Sequence, residues 1–404
     1  MSKMSLIRLD KMPLVSIVIP TCDRPDYLIK VISLIESNLN DYELIIADNS
    51  KTDNLKKQLA DYIKQPNIHY SYIPGKLSVV DNFERTLDMI QGDYVCYLGD
   101  DDGIGPEFES IVAWAKNRNV DAVYSYDHNG FISNFFWPGV QSKYLGSAYE
   151  AKLFVNKFDG RVISVDPIQS INNAMNNPGA GLQDLPRIYH GIVKTSTLRK
   201  VRAKFGHVFG GVSPDIYSGM LVATECTSVY RIDYPFIIPG ACVVSTAGQG
   251  AEKSDVGDLK KVDHITRFGD GLEWPKVIPE FYSPSNVWAL SLFAACETIG
   301  IPTAKIKFER LYALSFVRYF SYKKEISSAY NAWSSQRPLL KSVFQTLFAF
   351  ALEIKFQVYR VARKIKKIAY SENSYNSDDI LQAYSSLCQH IKENEIKLVL
   401  DNKD

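Results

Sequence analysis

Three adjacent carboxylates, Asp100, Asp101 and Asp102, stand between Gly99 and Gly103, directly after an apolar run at residues 94–98. Two unit charges about 4 Å apart repel by about 4 kcal/mol at an effective dielectric of about 20. A divalent cation would remove that cost. Hard oxygen ligands suit Mg2+ or Mn2+, which use one or two carboxylates together with the phosphates of a substrate. A solvated acidic turn ahead of a helix at Pro106 is the plainer alternative, since Asp is common at helix N-termini.

The elements around the run favour the metal reading. Residues 15–20, 43–47, 68–73, 94–98 and 122–126 are short apolar runs rich in β-branched or aromatic residues and read as strands. Residues 27–37, 55–64 and 79–90 have helical spacing, and Pro106 suits the first turn of a further helix. Alternating strands and helices predict an α/β fold, a mostly parallel sheet with helices on both faces. Ligands in such sheets bind beyond the carboxyl ends of the strands. Thr21 and Asp23 follow the first strand, Asp48 and Asn49 the second, and the acidic run the fourth, so three strand ends converge on one crevice.

Other nucleotide folds fail on missing parts. The first turn, Thr21-Cys-Asp-Arg-Pro25, has no glycine for a dinucleotide fingerprint. Gly75-Lys76 is followed by Leu77 and lacks the upstream glycine of a phosphate-binding loop. The length of 404 residues suits two domains, and 46% hydrophobic residues allow a sizeable core. A net charge of +1 argues against a nucleic-acid partner. The six cysteines form no C-x-x-C pair, so reduced thiols are expected and no zinc site is read. Residues 1–13 carry no apolar signal region and no run of about 18 apolar residues occurs, which predicts a cytoplasmic chain without a spanning helix.

The segments Val15-Ser-Ile-Val-Ile-Pro-Thr21, Glu43-Leu-Ile-Ile-Ala-Asp-Asn-Ser50 with Asp53, and Gly92-Asp-Tyr-Val-Cys-Tyr-Leu-Gly-Asp-Asp-Asp102 with Pro106 occur in this order. In motif and spacing the chain resembles the family-2 glycosyltransferases of GT-A fold, well over residues 13–130 and loosely over 185–250. The resemblance implies that Asp48 hydrogen-bonds a nucleotide base, and that Pro20, Thr21 and Asp23 line the nucleoside pocket. It places Asn82 near the donor, Asp100 and Asp101 near the sugar or ribose, and Mn2+ or Mg2+ on Asp102 with Asp101 or Asp100. The family's Asp-x-Asp pair would start at Gly99, so which two carboxylates hold metal stays open. The resemblance also implies a general base before an acceptor-side helix. Asp215, in Gly210-Gly-Val-Ser-Pro-Asp215, fits that place, with a helix cap as the alternative and Asp184 and Glu225 as rival bases. His190 is a candidate for acceptor or phosphate contact, and His264 a remoter one for metal. Residues 240–250 read as a lid or as a strand and its turn.

The expected activity is therefore metal-dependent, inverting transfer from a nucleoside-diphosphate sugar, a UDP-sugar by resemblance. The acceptor would be a hydroxyl of a glycan or lipid-linked glycan of a surface polysaccharide. A nucleotidyltransferase would need a glycine-rich basic loop after the first strand. A non-catalytic glycan-binding or assembly protein would not keep the acidic run. Residues 1–283 read as the catalytic domain and 284–404 as a helical one. Within the latter, residues 339–368 pair apolar residues with six basic ones in the second half. Such a helix can lie on an anionic membrane surface, making the protein peripheral there, pack on the catalytic domain, or form a homo-oligomer contact.

Overall fold

A computed structural model describes residues 12–75, 77–126, 130–142, 146–252, 256–369 and 373–400; the side chains of 263, 264, 270 and 363–369 are outside the description. The proposed contact of His264 therefore lies outside the described residues. In chain order the strands are β1 (Val15–Thr21), β2 (Tyr42–Asp48), β3 (Ile68–Tyr72), β4 (Tyr94–Tyr97), β5 (Gly103–Ile104), β6 (Ala122–Ser125) and β7 (Ser133–Phe136). There follow β8 (Lys152–Val155), β9 (Val162–Val165), β10 (Gly191–Lys194), β11 (Val229–Ile232), β12 (Ile237–Ile238), β13 (Gly240–Ala241) and β14 (Ser374–Asn376).

The main sheet has the order β3-β2-β1-β4-β10-β6-β11-β9. Strands β3, β2, β1 and β4 are mutually parallel, and β11 is parallel to β6. Strand β10 is antiparallel to both of its neighbours, and β9 is an antiparallel edge. The fold is thus α/β with a large, mostly parallel sheet, helices on both faces and a helical C-terminal region. Burial on both faces explains why β1 and β2 read as nearly continuous apolar runs. Alternate side chains feed two cores. Ile17, Ile19, Leu44 and Cys96 pack under helices Pro25–Asn38 and Phe108–Asn117. Val18, Ile45, Val95 and Tyr97 pack on the other face with helices Pro214–Glu225 and Pro284–Ile299.

Some helices are shorter than their spacing predicts. Residues 55–64 yield only Asn54–Gln58, and 79–90 yield Val79–Glu84 and a 3-10 turn at Leu87–Met89. Pro106 does not open a helix. Strand β5 pairs with β12 and keeps the chain extended, Gly105 lies so close to Pro235 that a Cβ would sit 1.9 Å from its carbonyl oxygen, and the helix starts at Phe108 after Glu107 turns with φ 62°.

The C-terminal helices do not stand apart. Leu311, Tyr312 and Trp333 are buried in the same core as Val18 and Tyr97. Ser283 caps helix Pro284–Ile299, accepting from the Asn286 amide, so the expected boundary at 283/284 falls at a helix start on a shared core. The chain then returns to its beginning. Strand β14 pairs with β8, Lys30 meets Asp379 at 3.0 Å, and Ile380 packs so closely on Gly103 that a Cβ there would be 2.7 Å from it.

A shared core predicts shared unfolding. Leu311→Ala should cost about 2–5 kcal/mol and lower the melting temperature of the whole chain in one transition. A separate early transition with the sheet intact, seen by calorimetry, would contradict the single core.

Candidate active site

The parallel register sets the site. Thr21 and Asp48, the last residues of β1 and β2, are direct neighbours, and the Leu98 amide bonds the Val18 carbonyl at 3.0 Å, which brings the acidic run beside them. The run is buried, with Asp100, Asp101 and Asp102 at 0%, 4% and 1% exposure. It is therefore not the solvated turn that the plain alternative required.

Each carboxylate has its own partners. Asp100 accepts from the Thr21 hydroxyl at 2.6 Å, and its other oxygen lies 3.0 Å from the Arg24 guanidinium. Asp101 faces Arg24 at 3.7 Å and accepts from the Cys242 amide at 3.0 Å. Asp102 receives four donors: the Gly99 amide at 2.6 Å, Tyr189 hydroxyl at 2.9 Å, His190 Nε2 at 2.6 Å and Gly240 amide at 2.7 Å. The charges respond accordingly. Burial pushes Asp100 up to about 7 against the pull of Arg24, and burial with the Asp102 charge raises Asp101. Burial opposes the Asp102 charge as well, yet His190 and the backbone amides outweigh it and hold Asp102 below the usual range. Arg24 is held more firmly charged because Asp100 and Asp101 more than offset its desolvation.

Backbone geometry makes this packing possible. Strand β10 enters the sheet beside β4, with the Tyr97 amide bonding the Ile188 carbonyl at 2.9 Å and the His190 amide the Tyr97 carbonyl at 3.1 Å. His190 takes φ 59°, a left-handed conformation that His adopts more readily than most residues. That turn delivers Tyr189 and His190 to Asp102. A Cβ on Gly99 would meet Asp102 Oδ2 and the Tyr189 hydroxyl at 2.8 Å, and one on Gly240 would lie 1.7 Å from the Asp101 carbonyl oxygen. A side chain at the residue that broke the Asp-x-Asp pattern would therefore press on two of the groups that meet at Asp102. Residues 240–250 prove to be strand β13, a turn and helix Thr246–Glu252, and the Trp137 indole, donating to the Asp101 carbonyl at 2.8 Å, joins them.

The remaining sequence candidates are placed as follows. Asp48 is fully buried, accepting from the Ser50 amide at 2.8 Å and from the Tyr70 hydroxyl. Pro20 lies within β1 opposite Ala47. Asp23 has φ 56°, its amide donates to the Ser50 hydroxyl at 2.8 Å, and its carboxylate accepts from the Lys51 amide at 3.1 Å. Asn82 donates to the Ala47 carbonyl at 3.1 Å and accepts from Arg85 at 2.8 Å, tying its helix to the end of β2. Asp215 lies in the first turn of helix Pro214–Glu225, with the Ser213 hydroxyl and the Ile216 amide both on Oδ1. The Ser291 hydroxyl fixes the preceding loop, accepting from the amides of Val212 at 3.1 Å and Ser213 at 2.8 Å. Of the rival bases, Asp184 sits 3.7 Å from Arg231 and Glu225 pairs with Lys204 at 2.7 Å.

Arg24, Tyr189 and the amides of Gly240 and Cys242 were not foreseen. Arg24 had a signal: a cation at the start of a helix opposes the helix dipole and calls for a carboxylate partner. The expected Mn2+ or Mg2+ would take one or two of these carboxylates and the phosphates of a bound donor. Among the described residues no three His, Cys, Asp or Glu side chains converge as metal ligands, and the oxygens that would bind an ion already face Thr21, Arg24, His190 and backbone amides.

Comparison with known proteins bears on the family. Residues 16–166 match the model of glycosyl transferase family 2. These residues are similar to a family-2 glycosyltransferase domain. The chain is similar to the putative teichuronic acid biosynthesis glycosyltransferase TuaG of Bacillus subtilis, 30% identical over 22% of this chain and 36% of that protein. It is also similar to the putative colanic acid biosynthesis glycosyl transferase WcaA of Escherichia coli, 25% identical over 36% of this chain and 53% of that protein. The Escherichia coli chondroitin synthase is 26% identical over 36% of this chain and 23% of its own length. The chain thus spans between about a quarter and about half of these relatives. Among solved structures, residues 1–349 of S. aureus TarS in complex with UDP-GlcNAc align with a TM-score of 0.48 at 10% identity, over 83% of this chain and 89% of that one.

The closed acidic run carries a prediction. Mn2+ titrated alone into the protein should give no saturable heat. Tight binding of the ion alone, lost in Asp102→Asn, would show that the carboxylates open to it without nucleotide.

Proposed function

We propose that the protein is a glycosyltransferase that moves a sugar from a nucleoside-diphosphate sugar to a hydroxyl of a glycan in bacterial surface-polysaccharide synthesis. The observation that carries this reading is the convergence of Thr21, Arg24, Asp100, Asp101 and Asp102, all within the residues that match the family-2 model, with His190 on Asp102, beyond the carboxyl ends of β1 and β4. The names of TuaG and WcaA support the polysaccharide context.

In this reading the donor is a UDP-sugar. Asp48, held in one orientation by Ser50 and Tyr70, accepts from the base. Pro20, Thr21 and Asp23 border the nucleoside, and Asn82 keeps the end of β2 in place through the Ala47 carbonyl. Arg24 stands at the start of helix Pro25–Asn38, where its charge and the helix dipole both favour a diphosphate. Mn2+ or Mg2+ would be held by Asp102 with Asp101 or Asp100 together with the donor's phosphates, and would offset the charge on the leaving diphosphate. Asp215 is the general base: with Ser213 and Ile216 on Oδ1, Oδ2 takes the proton of the acceptor hydroxyl as that oxygen attacks the anomeric carbon. Attack from the face opposite the leaving diphosphate inverts the configuration. His190, locked to Asp102, borders the acceptor side. The glycan or lipid-linked glycan, and a location at the inner face of the cell membrane, belong to this proposal.

The test is nucleotide release from a panel of UDP-sugars with polysaccharide acceptors. The wild type should turn over one of them. Asp215→Asn should lose about 100-fold or more in turnover while binding the donor as before. Undiminished turnover of Asp215→Asn removes it as the base, and absence of transfer with every nucleotide sugar sinks the proposed reaction.

A further inference from the structure

Helix Leu339–Ala369 is built the wrong way round for a helix in water. Its protein-facing side is largely polar or small. Ser342, Ala349 and Glu353 are buried, spaced seven and four residues apart on one face. Glu353 lies 3.7 Å from Arg318 and accepts from Gln357, Arg310 donates to the Ala349 carbonyl at 3.5 Å, and Phe350 meets Phe316 edge to face. These contacts seat the helix on its neighbour Phe308–Arg318.

The opposite side is apolar and in the open. Leu340 is 87% exposed, Phe344 73% and Leu347 64%, and Phe348, Ile354 and Val358 are also mostly exposed. A surface helix normally buries its apolar stripe and shows its polar one. Contiguous exposed apolar surface of this kind marks an interaction site. At about 1.5 Å per residue the helix runs about 46 Å.

Charge chooses the partner. From residue 339 to 369 the sequence has seven Lys or Arg and one acid, Glu353, and that acid faces inward. Lys341 and Lys355 are exposed beside the apolar face. Cations flanking an apolar stripe complement a surface that is apolar inside and anionic at its rim. A second copy of the same helix would bring lysines against lysines. Among the described residues no helix is long and apolar enough to cross a membrane, so the helix would lie along the surface.

We infer that helix Leu339–Ala369 is a membrane-surface anchor, seated with its Leu340–Phe344–Leu347–Phe348 face in the headgroup region of an anionic lipid layer. The inference is independent of the proposed reaction. Because the same helix packs on Phe308–Arg318, whose Leu311 shares the core of the main sheet, lipid binding would hold the site at a fixed orientation to the membrane.

The experiment is co-sedimentation of the full-length protein with vesicles of phosphatidylcholine alone and of phosphatidylcholine with phosphatidylglycerol. The wild type should sediment with the anionic vesicles and lose that binding in high salt. The combined variant Phe344→Gln, Leu347→Gln, Phe348→Gln replaces exposed side chains, so it should keep its melting temperature and lose vesicle binding about tenfold or more. Lys341→Glu with Lys355→Glu should weaken binding to anionic vesicles by a similar factor, at about 1 kcal/mol per cation removed. Absence of wild-type binding, or equal binding by the glutamine variant, overturns the inference. A dimer in light scattering that the glutamine variant splits, with no vesicle binding, assigns the face to a second copy and overturns it as well.

Discussion

Three consecutive carboxylates cannot be buried at the end of a β-strand without compensation, because moving even one unpaired charge out of water costs several kcal/mol. The structure meets that constraint with one guanidinium, one imidazole and a set of oriented backbone and hydroxyl donors. Arg24 spans Asp100 and Asp101, and His190 closes on Asp102. Arg24 and His190 come from segments far from the run in sequence, so satisfying the carboxylates dictates which chain segments must meet. The turn after β1, the reversed strand β10 and the Gly240 segment are all fixed by it.

The same constraint explains local features that otherwise look like defects. Left-handed backbone at Asp23 and His190 is sparsely populated by residues with a Cβ, and costs free energy that the surroundings must offset. Both residues lie beside the acidic run's neighbours, one bonded to Ser50 and the other to Asp102. Gly240 is required because the Asp101 carbonyl leaves no room for a side chain, and a Cβ on Gly99 would displace the Asp102 carboxylate and the Tyr189 hydroxyl. The strain and the glycines mark the site as firmly as the acids do.

Local pattern made much of this legible. Strands β1, β2, β3, β4 and β6 could be read from apolar runs, because a sheet covered on both faces needs them, and the parallel order placed Thr21, Asp48 and the acidic run together. Strand β10 could not be read: four residues at 191–194 carry no period, and only pairing with β4 and β6 reveals that their turn carries His190 to Asp102. The donors that meet these oxygens, among them the backbone amides of Gly99, Gly240 and Cys242, are invisible without three-dimensional contacts. The C-terminal helices read as a separate unit because their pattern turns helical after residue 283, yet helices Pro284–Ile299 and Phe308–Arg318 bury residues in the core of the sheet. Residues 339–368 read as basic and amphipathic, but which side faces outward is decided by packing on Phe308–Arg318.

The central claim is that the crevice beyond β1, β2 and β4, organised by Arg24, holds a nucleoside diphosphate. Calorimetric titration with uridine diphosphate, in the wild type, Arg24→Ala and Asp48→Ala, tests it most directly. Saturable binding that falls about tenfold or more, roughly 1.4 kcal/mol, in each variant is the predicted result. Binding unchanged in both variants would place the nucleotide elsewhere and contradict the account.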